Sequence, residues 1–167
     1  MALIQCTKKL LNELPINIEN AQDKQTLLGN WHANLLLIER RKCVLFTNDT
    51  TLYSLFIPRL VKPDFQKLAS IFISNLVANF TYEGLDKYVD AILEEYQYNL
   101  SFRKSSNRSV LGSMNDIVNM ISAYLYQHGG LENVNCLKLN QELNRIPLKA
   151  IKYNDAIECL QRQLGNE

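Results

Sequence analysis

The 167-residue chain is poor in everything that would staple, export or embed it. Its four cysteines, Cys6, Cys43, Cys136 and Cys159, form no Cys-x-x-Cys pair, which excludes zinc-ribbon and thioredoxin-type chemistry. Reduced, buried thiols in a cytoplasmic protein are the expected state. Two histidines, with no His-x3-His and no Glu-x-x-His, exclude a histidine-rich metal site. Apolar runs such as Ile71-Phe72-Ile73 break within a few residues, far below the ~18 needed to cross a bilayer. At the N-terminus the charges of Lys8 and Lys9 follow the apolar run, the reverse of a signal peptide, so no export is expected. Eighteen basic residues against seventeen acidic ones leave a net charge of +1, so no global field draws nucleic acid or membrane. Any such partner must find a local patch.

With 47% apolar and 21% charged residues the chain has an ordinary globular composition. It is long enough to bury roughly 70% of its unfolded surface without cross-links. No repeat, low-complexity tract or Pro/Gly/Ser linker divides it, so a single domain over residues 1–167 is expected. Asn17 to Thr26 reads as a polar surface loop.

Leu3 to Thr7 reads as a short strand, followed by a helical turn from Lys8 to Leu14 that Pro15 stops. Trp31 to Ile38, Lys42 to Thr47 and Thr51 to Ile57 are rich in β-branched and aromatic residues and are separated by short polar turns. They predict an antiparallel meander. Cys43-Val44-Leu45-Phe46 is apolar at every position, so helices should cover both faces of the sheet. Pro58 is expected to end the third strand. Lys62-Pro63-Asp64 opens a helix with apolar residues Phe65, Leu68, Phe72, Leu76 and Phe80 at helical spacing, and a second helix runs from about Leu85 to Tyr96. Its acidic row, Asp86, Asp90 and Glu94, reads as a solvated face. Tyr98, Leu100 and Phe102 alternate as an added edge strand. Ser113-Met114-Asn115-Asp116 has the spacing of a capping box and predicts a helix start, with Gly129-Gly130 as its stop. Two short helices follow at Leu137 to Leu143 and Asp155 to Leu164. The fold expected is α+β, an antiparallel sheet of four to five strands covered by about five helices.

Two stretches carry candidate chemistry. Arg103, Lys104, Asn107, Arg108, Ser109, Gly112 and Ser113 combine three cations, hydroxyls and a glycine before the expected helix start, with no acidic residue among them. Main-chain N–H groups at a helix start suit a phosphate, although cap and loop chemistry alone also accounts for these residues. No Walker spacing is present. Arg40, Arg41 and Lys42 sit at the expected tip of the first hairpin, where adjacent cations repel unless solvent or an anion relieves them. Charged hairpin tips also simply block sheet-edge association. His32 and Asp116 are the candidate proton carriers, His32 having no carboxylate near it in sequence. No metal site and no cofactor is implied.

The segments Cys6-Thr7-Lys8-Lys9-Leu10-Leu11, Trp31-His32-Ala33-Asn34-Leu35 with Ile38 to Asn48, and Asn107 to Asp116 carry a resemblance over nearly the whole length. On them the chain resembles a family of short, uncharacterised bacterial proteins defined as a domain of unknown function. The resemblance implies that family and a bacterial cytoplasmic setting, and transfers no catalytic role.

The function expected is a non-enzymatic module that binds a phosphate-bearing partner, nucleic acid above all, if the two basic segments converge in the fold. The alternatives are a small hydrolase or nuclease-like enzyme, with Arg108 and Ser113 holding a phosphoryl group while His32 or Asp116 handles the proton, and a protein-interaction or regulatory domain. No membrane partner is expected.

Overall fold

A computed structural model describes residues 2–15, 26–97 and 100–165. The polar stretch from Asn17 and Tyr98 fall, apart from Thr26, outside the described residues. Strands β1 (Ala2–Cys6), β2 (Trp31–Ile38), β3 (Arg41–Asn48), β4 (Ser54–Leu60) and β5 (Leu100–Lys104) form one sheet in the order β4-β3-β2-β1-β5. β2, β3 and β4 are the expected antiparallel meander. β1 runs parallel to both of its neighbours, β2 and β5, so the sheet is mixed rather than antiparallel. All five residues of β1 are buried, as a strand inside a two-sided sheet requires. A parallel neighbour needs a crossover, which residues 7–30 supply with the short helix α1 (Lys8–Leu11).

Helices cover both faces. On one side, α2 (Lys62–Phe65), α3 (Leu68–Tyr82), α4 (Val89–Tyr96) and α7 (Ala156–Gly165) pack on Ile4, Trp31, Val44, Phe46 and Leu55. Phe72 of α3 is the centre of that layer, its ring centroid 5.1 Å from Trp31, 4.7 Å from Phe46 and 6.1 Å from Tyr96. Burying each such ring stabilises the fold by about 2–3 kcal/mol. On the other side, α5 (Arg108–Gln127) lays Val110, Met114, Ile117, Ile121 and Leu125 against Leu36, Cys43, Leu45 and Phe56, with Leu139 and Leu143 of α6 (Cys136–Leu143) beside them. No helix among the described residues is long and apolar enough to cross a membrane.

Local chemistry moves several expected boundaries. The helix read from Ser113 begins at Arg108. Asn107 is its N-cap, accepting from the N–H of Ser109 at 2.9 Å and of Val110 at 3.4 Å. The apolar stripe starts at Val110, one turn before the serine, and that burial extends the helix past it. Ser113 therefore lies inside the helix and donates to the Ser109 carbonyl at 3.4 Å, while Gly112 sits on its solvent side. The helix expected from Lys62 is split at Gln66 and Lys67 into α2 and α3, and the first turn of the next helix, Asp86–Tyr88, is 3-10.

Pro58 does not end β4. The strand continues to Leu60 because the register jumps between Lys42 and Val44, so that Pro58 and Arg59 together oppose Cys43 in a bulge. β4 is an edge strand, where the missing proline N–H costs no ladder bond. Its open side is closed by two side chains of α6 and the residue after it. Asn140 accepts the Phe56 N–H at 2.8 Å and donates to the Phe56 carbonyl at 3.4 Å. Asn144 accepts the Ser54 N–H at 2.7 Å and donates to the Ser54 carbonyl at 2.8 Å. Two buried amides thus stand in for a sixth strand.

Candidate anion site

The β2–β3 hairpin turns on two residues, Glu39 and Arg40, both in left-handed conformation with φ of 49° and 64°. Such turns ordinarily carry Asn-Gly, since an L side chain there costs on the order of 1 kcal/mol per residue. Here both positions bear charge. Arg59, in the β4 bulge, is also left-handed at φ 58°. Three strained charged residues therefore lie at one end of the sheet.

Two of them, Glu39 and Arg59, line a cavity of about 470 Å³ together with Arg41, Gly129, Leu131, Glu132 and Asn133. Arg41 pairs in register with Ile38, whose side chain packs in the α5 layer, so its guanidinium is delivered to that face. The bulge aims Arg59 toward the same cavity. Neither guanidinium has a carboxylate within 4.0 Å among the described residues. The Glu39 carboxylate is partly engaged, Oε2 accepting the Leu131 N–H at 2.6 Å. Gly130, at φ 85°, allows this approach, since a Cβ there would stand 2.8 Å from Glu39 Oε1. Burial pushes the thiols of Cys43 and Cys136 up, and the Arg59 charge that opposes the shift does not reverse it. Cys6, deeper still, is pushed up to about 12 by burial, so none of these is a nucleophile at neutral pH.

The other candidate residues are placed elsewhere. Lys42 faces the opposite side of the sheet, 2.6 Å from Glu13 and 5.9 Å from the Phe65 ring centroid. Arg103 and Lys104 end β5, and Asn107, Arg108 and Ser109 form the start of α5. The tip residue Glu39 meets Leu131, just past the far end of that helix. The two basic segments thus stand at opposite ends of a 20-residue helix, about 30 Å of rise apart. They do not form one surface. The first-turn amides of Ser109 and Val110 are taken by Asn107. Asp116 is exposed on α5 and lines a shallow depression with Asn119, Lys149 and Tyr153. Asp86, Asp90 and Glu94 are exposed, and no cluster of three metal-ligating side chains occurs among the described residues.

His32 does have a carboxylate partner. Its Nδ1 lies 2.6 Å from Asp49 Oδ1, and Asp49 Oδ2 accepts from Gln5 Nε2 at 3.0 Å. The register places Arg103, Gln5, His32, Thr47 and Ser54 side by side across all five strands on the α5 face. His32 is fully buried and its Nε2 has no hydrogen-bond partner among the described residues. The antiparallel pairing of His32 with Thr47, two residues before Asp49, was the available signal for this pair. Arg59 and the 129–133 turn were also missed, the first because Pro58 read as a strand end.

A model of the domain-of-unknown-function family DUF6933 matches residues 3–159. The chain belongs to that family. No curated protein and no solved structure matches the chain significantly. The DUF6933 assignment agrees with the resemblance carried by the 6–11, 31–48 and 107–116 segments, and it brings no activity with it.

Proposed function

We propose that this DUF6933 protein is a non-enzymatic module that binds a phosphate-bearing partner, nucleic acid being the class intended, through Arg41 and Arg59, with Arg40 beside Arg41 in the hairpin turn. One observation carries the reading: Arg41 and Arg59 line one cavity with no carboxylate within 4.0 Å of either guanidinium among the described residues, and Arg59 stands on left-handed backbone. Strain of this kind persists where the side chain, rather than the backbone, is needed. Arginine is also the residue suited to two-pronged contact with phosphate oxygens. The 103–108 segment, 30 Å of helix away, is left as a separate basic end. Titration of a labelled single-stranded oligonucleotide at rising salt tests the site. The double variant R41Q/R59Q should bind at least about tenfold more weakly, with a shallower salt slope, and unfold at the same urea concentration as the parent. Equal affinity of parent and variant would sink the reading.

The hydrolase alternative draws on the Asp49–His32 pair, which has the geometry of a carboxylate holding an imidazole. It requires His32 Nε2 to meet a substrate. None of the cavities at Arg41, Asp116 or Tyr126 includes His32. The binding reading is therefore preferred.

A further inference from the structure

The cavity at Arg41 and Arg59 shares a wall with a second one. Glu39 and Gly129 line both, and the second, about 420 Å³, adds Ile38, Ser122, Leu125, Tyr126 and Gly130. Its chemistry differs from the first, with aliphatic side chains from β2 and α5 and one phenol ring. Tyr126 is 90% exposed, the most exposed of the large apolar side chains described. The ring stands in the last turn of α5, almost wholly in solvent. Glu39 Oε1 faces Gly130 at the shared wall and makes no hydrogen bond among the described residues, which leaves an acceptor between the two compartments.

Resting on the phosphate site above, we infer that the ligand is a nucleotide unit of a single strand, its phosphate on Arg41 and Arg59 and its base stacked on Tyr126. A nucleotide has the same division as the double cavity, a charged end and a flat apolar-faced end, and Glu39 Oε1 is placed to accept from a ribose hydroxyl or a base amine. Inorganic phosphate or a phosphorylated side chain would use the Arg41 and Arg59 half alone. A duplex would not do, because its base faces are already covered by their neighbours. Stacking on an aromatic side chain is tolerant of base identity, so sequence preference should be weak.

The test compares an oligothymidylate of about ten nucleotides with an abasic strand of the same length and charge. Anisotropy is read at low salt on the parent protein, Y126A, Y126F and R59Q. The parent should bind the intact strand about tenfold more tightly than the abasic one. Y126A should erase that ratio, Y126F should keep it, and R59Q should weaken both strands alike. A ratio near one in the parent, or a ratio unchanged in Y126A, overturns the stacking site. Abasic binding that still depends on Arg59 would then leave the phosphate site standing, whereas no binding of either strand would remove both. Competition by a nucleoside monophosphate at equal nucleotide concentration would support the same site with a free nucleotide as its ligand. Tyr126 is so exposed that its replacement leaves the core untouched.

Discussion

The two ends of β2 handle polar side chains in opposite ways. At the Trp31 end the groups are spent largely on one another, His32 Nε2 being left without a partner among the described residues. Asp49 holds His32 and Gln5, and Asn48 accepts from the N–H groups of Thr50 and Thr51 and donates to the Leu28 carbonyl at 2.6 Å. Asn30 accepts the Leu3 N–H at 3.1 Å. At the Ile38 end, the other end of this eight-residue strand, Arg41 and Arg59 have no ionic partner among the described residues, and left-handed backbone, which near the Trp31 end falls on Leu52, falls on the charged Glu39, Arg40 and Arg59. Counting polar residues would rank the first end higher as a site. Satisfaction ranks it lower, because a network that closes largely on itself, with its one open atom buried, leaves little for a ligand, whereas unpaired charge lining a cavity leaves much.

The sharpest way to break this contrast is to open the closed network. D49A removes the partner of both His32 and Gln5 and leaves buried donors unpaired. It should cost about 3 kcal/mol, read as a lower urea midpoint with an unchanged slope. Oligonucleotide affinity measured on the folded fraction should stay at the parent value. Lost binding with intact stability would move the site to the His32 end and revive the hydrolase reading.

A step smaller is N144A, which strips the amide from the edge of β4 and leaves the Ser54 N–H and carbonyl without partners. About 2 kcal/mol should be lost, and light scattering should show association through the reopened edge. A monomeric N144A of parental stability would mean that the edge needs no such cover.

How much of this was legible in the sequence depends on the range of the interaction concerned. The meander, the apolar stripes and the Gly129-Gly130 stop follow from period and turn chemistry, which act over a few residues. The direction of β1 is a property of its connection, and the span of residues 7–30, too long for a hairpin, held that information while strand composition did not. The start of α5 was misplaced because Ser113 to Asp116 has a capping pattern, and burial of Val110 a turn earlier outweighs a cap. Asn107 shows the same cap chemistry six residues upstream. Half of the site, Arg40 and Arg41, was visible as a basic tip, and the other half was not. Arg59 joins it through a bulge at a proline that, read alone, signals a strand end.

That bulge allows the smallest and most discriminating measurement. Arg59 stands at φ 58°, where glycine is at ease and any side chain with a Cβ is not. R59A and R59G both delete the guanidinium, and only R59G also relieves the backbone. If strain is carried at this position for the sake of the charge, the two variants should lose oligonucleotide affinity equally. They should differ in stability, with R59G above R59A by about 1 kcal/mol despite the larger entropy of an unfolded glycine. Denaturant midpoints of the two variants give that difference directly, without reference to any contact the arginine makes. R59A as stable as R59G would show an unstrained bulge and remove the reason for looking at this end of the sheet. R59G more stable and still binding would show strain without purpose. Only the combination of gained stability and lost affinity ties the left-handed arginine to a ligand.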